Sequence, residues 1–259
     1  MSVASVNERL AALTAAGTSV WLDQIRRGMI EDGELARMVA EDSLRGVTSN
    51  PAIFEKAILG SSDYDEDMAA AAREGLSARE VYRRLAVKDV QLAADVLRPV
   101  YDETGGVDGY VSLEVAPRLA HDTAGTLEQA RMYWELVDRP NLMIKIPATD
   151  EGIPAIEEAL YEGLNVNITL LFAIEAHDRV IGAYLSGLED RVKRHQPVDR
   201  IASVASFFVS RVDTKVDAEL ERLGREDLRG KAAVANARIA YAVFQEIFSG
   251  PKWDRLREA

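Results

Sequence analysis

The chain has 259 residues, no cysteine, and a formal net charge of −12 from 31 basic against 43 acidic side chains. The missing thiols exclude disulfide frameworks, thiolate nucleophiles and Cys-based zinc sites. The acidic excess argues against a nucleic-acid partner, since that binding rests on Lys and Arg neutralising phosphates.

No stretch approaches the ~20 uninterrupted apolar residues of a membrane helix. Met1–Arg9 is polar and lacks the basic run and apolar core of a signal peptide. A cytoplasmic protein with no membrane partner is the expectation, and the length suits one (β/α)8 barrel of ~250 residues.

A first helix is predicted over Val6–Ala15, ending near Gly17, and a strand over Ser19–Leu22 leads to Asp23. A helix over Glu34–Asp42 precedes a strand over Gly46–Ser49. Asn50-Pro51 breaks that strand, because the residue before proline favours extended or turn geometry. A long helical region follows. Its last helix opens at the capping box Ser77-Ala78-Arg79-Glu80, runs to about Tyr101 and is ended by Gly105-Gly106.

The strand Tyr110–Glu114 then leads through a helix over Thr123–Asp138 to the strand Leu142–Ile146, stopped by Pro147. A helix over Gly152–Tyr161, a strand over Val166–Leu170, a helix over Ile174–His195 and a strand over Ile201–Phe208 follow. Helices over Val212–Leu223 and Lys231–Phe248 close the pattern, and nothing after Gly250 reads as a strand. Short strands alternating with amphipathic helices predict βαβ units and a parallel sheet. Six strands are evident, whereas the closed barrel needs eight. We therefore expect residues 1–259 to form a single (β/α) barrel domain, incomplete at its C-terminus.

Polar residues recur at the ends of these strands. Leu142, Ile144 and Ile146 share one face, which suits packing against outer helices; Lys145 falls on the other, pointing inward beside Met143. An interior lysine is unusual, because an unpaired buried ammonium is costly. Burial favours the neutral amine, the form that attacks a carbonyl, and lysine is the residue type that forms Schiff bases with ketones. The structural alternative is an internal ion pair.

Tyr110, Ser112 and Glu114 share a face, and Asn165, Asn167 and Thr169 alternate with Val166, Ile168 and Leu170. Asp23 ends the first strand and Asn50 the second. Ser206 and Phe208 share a face near the end of the sixth, with Arg211 just beyond. In such barrels catalytic residues sit at the C-terminal strand ends. Each residue also has a plain reading. Asp23 could cap the next helix, Asn50-Pro51 could be a turn, Glu114 could pair with an arginine, Asn167 and Thr169 could satisfy each other, and Arg211 could be a surface charge. His121, His177 and His195 are far apart in sequence, have no metal-ligand spacing, and read as surface or capping residues.

Six stretches carry a resemblance to a known family. They are Val-Trp-Leu-Asp (20–23), Gly-Val-Thr-Ser-Asn-Pro-Ala-Ile-Phe (46–54), Tyr-Val-Ser-Leu-Glu-Val (110–115), Met-Ile-Lys-Ile-Pro-Ala-Thr (143–149), Asn-Val-Asn-Ile-Thr-Leu-Leu-Phe (165–172) and Ala-Ser-Phe-Phe-Val-Ser-Arg-Val-Asp (205–213). In this order the sequence resembles the transaldolase family, in the bacterial form also found fused to a glucose-6-phosphate isomerase domain.

The resemblance implies a (β/α)8 TIM-type barrel of the class I aldolase kind, with no metal and no organic cofactor. It implies sugar-phosphate substrates: a dihydroxyacetone unit would pass from sedoheptulose 7-phosphate to glyceraldehyde 3-phosphate. Lys145 would be the Schiff-base nucleophile and Asp23 the acid/base at the C4 hydroxyl. Glu114 and Thr169 would hold the proton-shuttling water. Asn50, Asn167 and Ser206 would bind substrate hydroxyls, Phe208 would line the pocket, and Arg211 would bind phosphate. The family carries a further serine and a second phosphate-binding arginine on its seventh strand, and the sequence ends before any matching segment.

Two other functions stay in view: an aldolase of the fructose-6-phosphate type, which needs no acceptor, and a non-catalytic truncated chain. Open sheet edges would invite pairing with another chain, so a homodimer is one assembly to expect.

Overall fold

The protein is described by a computed structural model over residues 6–259. The first five residues of the Met1–Arg9 segment lie outside this range. The described chain divides into two compact units, residues 6–117 with Gln129–Ile144, and Arg118–Glu128 with Lys145–Ala259.

Unit 1 contains α1 (Glu8–Ala15), β1 (Val20–Leu22), α2 (Arg27–Glu31), α3 (Glu34–Glu41) and β2 (Leu44–Val47). It continues through α4 (Pro51–Leu59), α5 (Asp65–Arg73), α6 (Ala78–Glu103) and β3 (Tyr110–Glu114). Most of α7 (Thr123–Val137) and the first half of β4 (Leu142–Pro147) belong to it as well. β1 pairs with β2 and β2 with β3, both parallel.

The capping box opens α6 as expected: Ser77 Oγ accepts from the Glu80 N–H, and the Glu80 carboxylate accepts from the Ser77 N–H at 2.8 Å. Leu85, Ala86, Val90, Ala93, Ala94, Leu97 and Tyr101 form the buried stripe of α6, at the three- and four-residue spacing of one helix face. That stripe lies over β3, where Tyr101 meets Tyr110 edge-on with ring centroids 5.4 Å apart. Each large apolar side chain buried there contributes about 1.5–3 kcal/mol relative to an exposed one. Gly46 has no substitute: a Cβ there would overlap the Trp21 indole.

Unit 2 holds the second half of β4, then α8 (Gly152–Glu162), β5 (Val166–Leu171), α9 (Ile174–Lys193) and β6 (Ser203–Phe207). It ends with α10 (Ser210–Arg222), α11 (Ala232–Ile247) and α12 (Pro251–Glu258). β5 and β6 are parallel. The hydrogen-bonded strand order is the chain order, β1 to β6. This is an α/β fold with six of the strands of a (β/α)8 barrel. β4 is buried along its whole length, as a parallel strand covered on both faces should be.

Several elements differ from the sequence expectation, β6 among them, which is shorter than Ile201–Phe208. α2 has no counterpart in it. β2 starts and ends two residues earlier than predicted, because pairing with β3 fixes Gly46 opposite Tyr110. The segment after Gly250 is helical: Pro251 opens α12 at a first-turn position that suits proline. Leu256 and Trp253 then join a cluster with Leu185, Leu188 and Phe248.

Candidate functional site

Within unit 2, the β4 lysine, Lys145, is only 7% exposed, and Asn167 and Thr169 on β5 are 1% and 2% exposed. Asn167 Oδ1 accepts a 2.7 Å hydrogen bond from Ser206 Oγ, so two of the expected substrate-binding residues are joined across neighbouring strands. Asn167 therefore does not depend on Thr169 alone. Asn165 braces the start of the next strand, where its Oδ1 accepts from the Ala202 N–H at 2.9 Å.

Thr169 sits beside a β-bulge. Ile168 stands opposite Ala205 but Leu171 opposite Phe207, so β5 carries one extra residue. Leu170 absorbs it at φ 60°, a left-handed conformation that a branched side chain adopts at a cost. Bulges of this kind re-aim neighbouring side chains. Phe208 lies one residue past β6, and its N–H donates to the Leu171 carbonyl at 2.9 Å. It stacks on Phe172 with centroids 4.9 Å apart, and the Arg211 guanidinium lies 4.4 Å from its ring centre. Arg211, on the first turn of α10, has no carboxylate partner among the described residues and is exposed. Its planar fork is the group that suits a phosphate dianion.

Within unit 1, parallel pairing puts Asp23, Asn50 and Glu114 at or just past the C-terminal ends of β1, β2 and β3. Asp23 is exposed, and it caps no helix, since α2 begins only at Arg27 with Arg26 at its cap. Asn50 is a cap: its Oδ1 accepts from the Ile53 N–H at 3.0 Å, with Pro51 at the first position of α4. The amide N–H2 of Asn50 has no partner among the described residues. Glu114 is half-buried at the end of β3. Burial, then the charges of Tyr133 and Glu114, push the Tyr82 phenol above its ordinary range, which places Glu114 electrostatically close to Tyr82.

Some polar residues carry no sequence signal of their place. Thr48, inside the Thr-Ser-Asn-Pro run, has a buried Oγ1 without a partner among the described residues, while its N–H donates to the Leu22 carbonyl at 2.8 Å. Ser49 Oγ donates to the Ser112 carbonyl at 2.6 Å. Arg27, 2% exposed, donates from Nε to Asp89 and from Nη1 to Asp67 at 2.7 Å. The Tyr64 hydroxyl donates to Asp89 at 2.8 Å and accepts from the Arg27 N–H. Burial pushes the Asp89 carboxyl up, yet Asp67 and Asp89 hold Arg27 above its ordinary value despite its own burial. Two donors converging on Asp89 favour the ionised pair. No local pattern marks this network, since its partners lie up to 62 residues apart.

The histidine expectation needs one correction. His121 is exposed beside Glu151, and His195 takes φ 56° just past the end of α9, as a capping residue would. His177, however, is 6% exposed, lies against the Phe207 ring, and has no partner at Nδ1 among the described residues. Its α9 position faces the sheet, which overrides the general surface tendency of histidine. Among the described residues no three His, Asp or Glu side chains gather as a metal-ligating group, and no helix is long and apolar enough to cross a membrane.

Parallel strand–helix units with polar side chains at their C-terminal strand ends define a protein of the (β/α)-barrel class. Comparison with known proteins narrows this. Residues 20–258 match the model of the transaldolase/fructose-6-phosphate aldolase family, and the chain belongs to that family. It is 51% identical to a transaldolase of Acidothermus cellulolyticus over 253 residues, covering 97% of this chain and 68% of that protein. It is 52% identical to a transaldolase of Thermobifida fusca, covering 96% and 69%. With a transaldolase of Mycobacterium marinum the identity is 49%, covering 99% and 70%.

Proposed function

We propose that this chain is a transaldolase that moves a dihydroxyacetone unit between sugar phosphates through a Schiff base on Lys145. The observation that carries the reading is identity near 50% with transaldolases along almost the whole chain. The 7% exposure of the lysine in the Ile-Lys-Ile-Pro strand supports it.

In the proposed sequence the Lys145 amine adds to the C2 carbonyl of sedoheptulose 7-phosphate, and the carbinolamine loses water to form an iminium. Asp23 takes the proton of the C4 hydroxyl as the C3–C4 bond breaks. The bonding pair moves into the iminium, leaving an enamine on Lys145 and releasing erythrose 4-phosphate. The enamine carbon then attacks the aldehyde of glyceraldehyde 3-phosphate, Asp23 returns its proton to the new alkoxide, and water frees fructose 6-phosphate. Glu114 and Thr169 hold the water used at the carbinolamine steps. Asn50, Asn167 and Ser206 bind hydroxyls, Phe208 lines the pocket, and Arg211 binds phosphate. An enamine must be kept from bulk water, which agrees with the burial of Lys145, Asn167 and Thr169.

Borohydride with fructose 6-phosphate should leave a covalent adduct on Lys145, located by peptide mass. Lys145→Ala should remove both adduct and turnover while the far-UV spectrum stays native. A folded wild-type chain that yields no adduct at Lys145 ends this mechanism. The family description also names fructose-6-phosphate aldolase, so products should be compared with and without erythrose 4-phosphate: transfer requires the acceptor, cleavage does not. We place the enzyme in the cytoplasm, with the sugar phosphates that this reading requires as substrates. A homodimer is the assembly to test, by sedimentation.

A further inference from the structure

Arg211 reaches the proposed site on an aromatic support, and that support is tied down from a distant helix. Phe172 stacks on Phe208 at 12° between ring planes, and Phe208 carries the Arg211 guanidinium. Phe172 itself lies past the end of β5, is 38% exposed, and would be free to swing with its loop. Asn236 on α11 prevents this: its Nδ2 donates to the Phe172 carbonyl at 2.7 Å, 64 residues away in sequence.

The same end of α11 is fastened to α10. The Ala233 N–H donates to Asp213 Oδ1 at 2.9 Å, and the Gly230 N–H donates to Asp217 at 3.0 Å. Asp213 stands two residues after Arg211, on the same helix. The start of α11 therefore holds both sides of the stack: the loop bearing Phe172, through Asn236, and the helix bearing Arg211, through Asp213.

We propose that Asn236 is a positioning residue for phosphate recognition, acting through Phe172 and Phe208 to aim the Arg211 guanidinium. The inference rests on the assignment of Arg211 to the substrate phosphate. It is independent of the lysine chemistry. The step from the hydrogen bond to affinity is direct. Losing one such bond allows the loop to sample other positions, and only the fraction with Arg211 aimed binds phosphate well.

The test titrates inorganic phosphate while following the Arg211 Nε–H resonance, in the wild type and in Asn236→Ala and Asn236→Asp. Both variants lack the donated N–H. Half-saturation should rise about three- to tenfold, the scale of a single lost hydrogen bond. Phe172→Leu, which removes the stacking but not the amide, should give a shift of the same sign. Borohydride trapping then separates positioning from general damage. Half-saturation with fructose 6-phosphate should rise in Asn236→Ala, while that with dihydroxyacetone, which carries no phosphate, stays in place. Equal phosphate affinity in wild type and variants overturns the proposal, as does a common shift for both ketones. A wild type whose Arg211 ignores phosphate overturns it together with the Arg211 assignment. Absence of any Lys145 adduct alongside a phosphate shift at Arg211 would end the Schiff-base reading alone.

Discussion

β3 and β6 are both five-residue strands, yet they live in different environments. Four residues of β3 are buried, with Val111 and Leu113 at 0% exposure, whereas no residue of β6 is buried and Ala205 is exposed. β3 has a strand on each side in the hydrogen-bonded order and α6 over it; among the described residues β6 pairs only with β5. Beside β6 a cavity of about 580 Å³ is lined by Phe207, His177, Tyr184, Tyr241 and Phe244. The contrast shows that composition does not set burial. Apart from Glu114 at the end of β3, both strands are built of aromatic, aliphatic and small residues, and the number of neighbours decides how much of each leaves water.

The largest expected effect follows directly from this contrast. Val111→Lys should abolish folding, because an ammonium at a position of 0% exposure would lose its hydration. Ala205→Lys should leave the far-UV spectrum native and, by charging an edge strand, reduce self-association. Circular dichroism with sedimentation velocity checks both; equal loss of fold at the two positions would break the comparison.

A smaller effect is expected behind β3's unit, at the ion pair Arg27–Asp89. Asp89→Ala leaves the buried Arg27 guanidinium with Asp67 alone and the Tyr64 hydroxyl without its acceptor, and should cost about 3 kcal/mol in urea unfolding. Removing Glu74, whose pairing with Arg84 is exposed, should not measurably change stability.

The smallest effect concerns pH and the β6 side. Burial holds the His177 imidazole below its ordinary value. The folded protein then binds the proton less readily than the unfolded chain, so the contribution of neutral His177 is fully present above about pH 6.5 and is lost as pH falls towards the folded value. Melting temperature should therefore decline on the acid side, and His177→Phe should flatten that decline. An unchanged slope in the variant would assign the decline to other groups.

Much of this arrangement was legible in the residues. The strands at Tyr110–Glu114 and Leu142–Ile146, the Ser77 capping box, and the strand-end placing of Asp23, Lys145, Thr169 and Ser206 all follow from local pattern and period. Where a residue's meaning depended on a remote partner, the pattern was silent. Arg27 finds its carboxylates only because Asp67 and Asp89 are brought to it, and Asn236 gains its role only because Phe172 is brought to it.

By itself, then, the sequence determined the alternation of strands and helices, their parallel sense, and which polar side chains end the strands, because these depend on periods of two and 3.6 residues and on caps within a few positions. Tertiary structure decided what no local period encodes. It closed the Arg27 network, buried His177, set the bulge at Leu170, and joined α11 to the Arg211 stack. Each of these depends on contacts between segments whose separation along the chain carries no local signal.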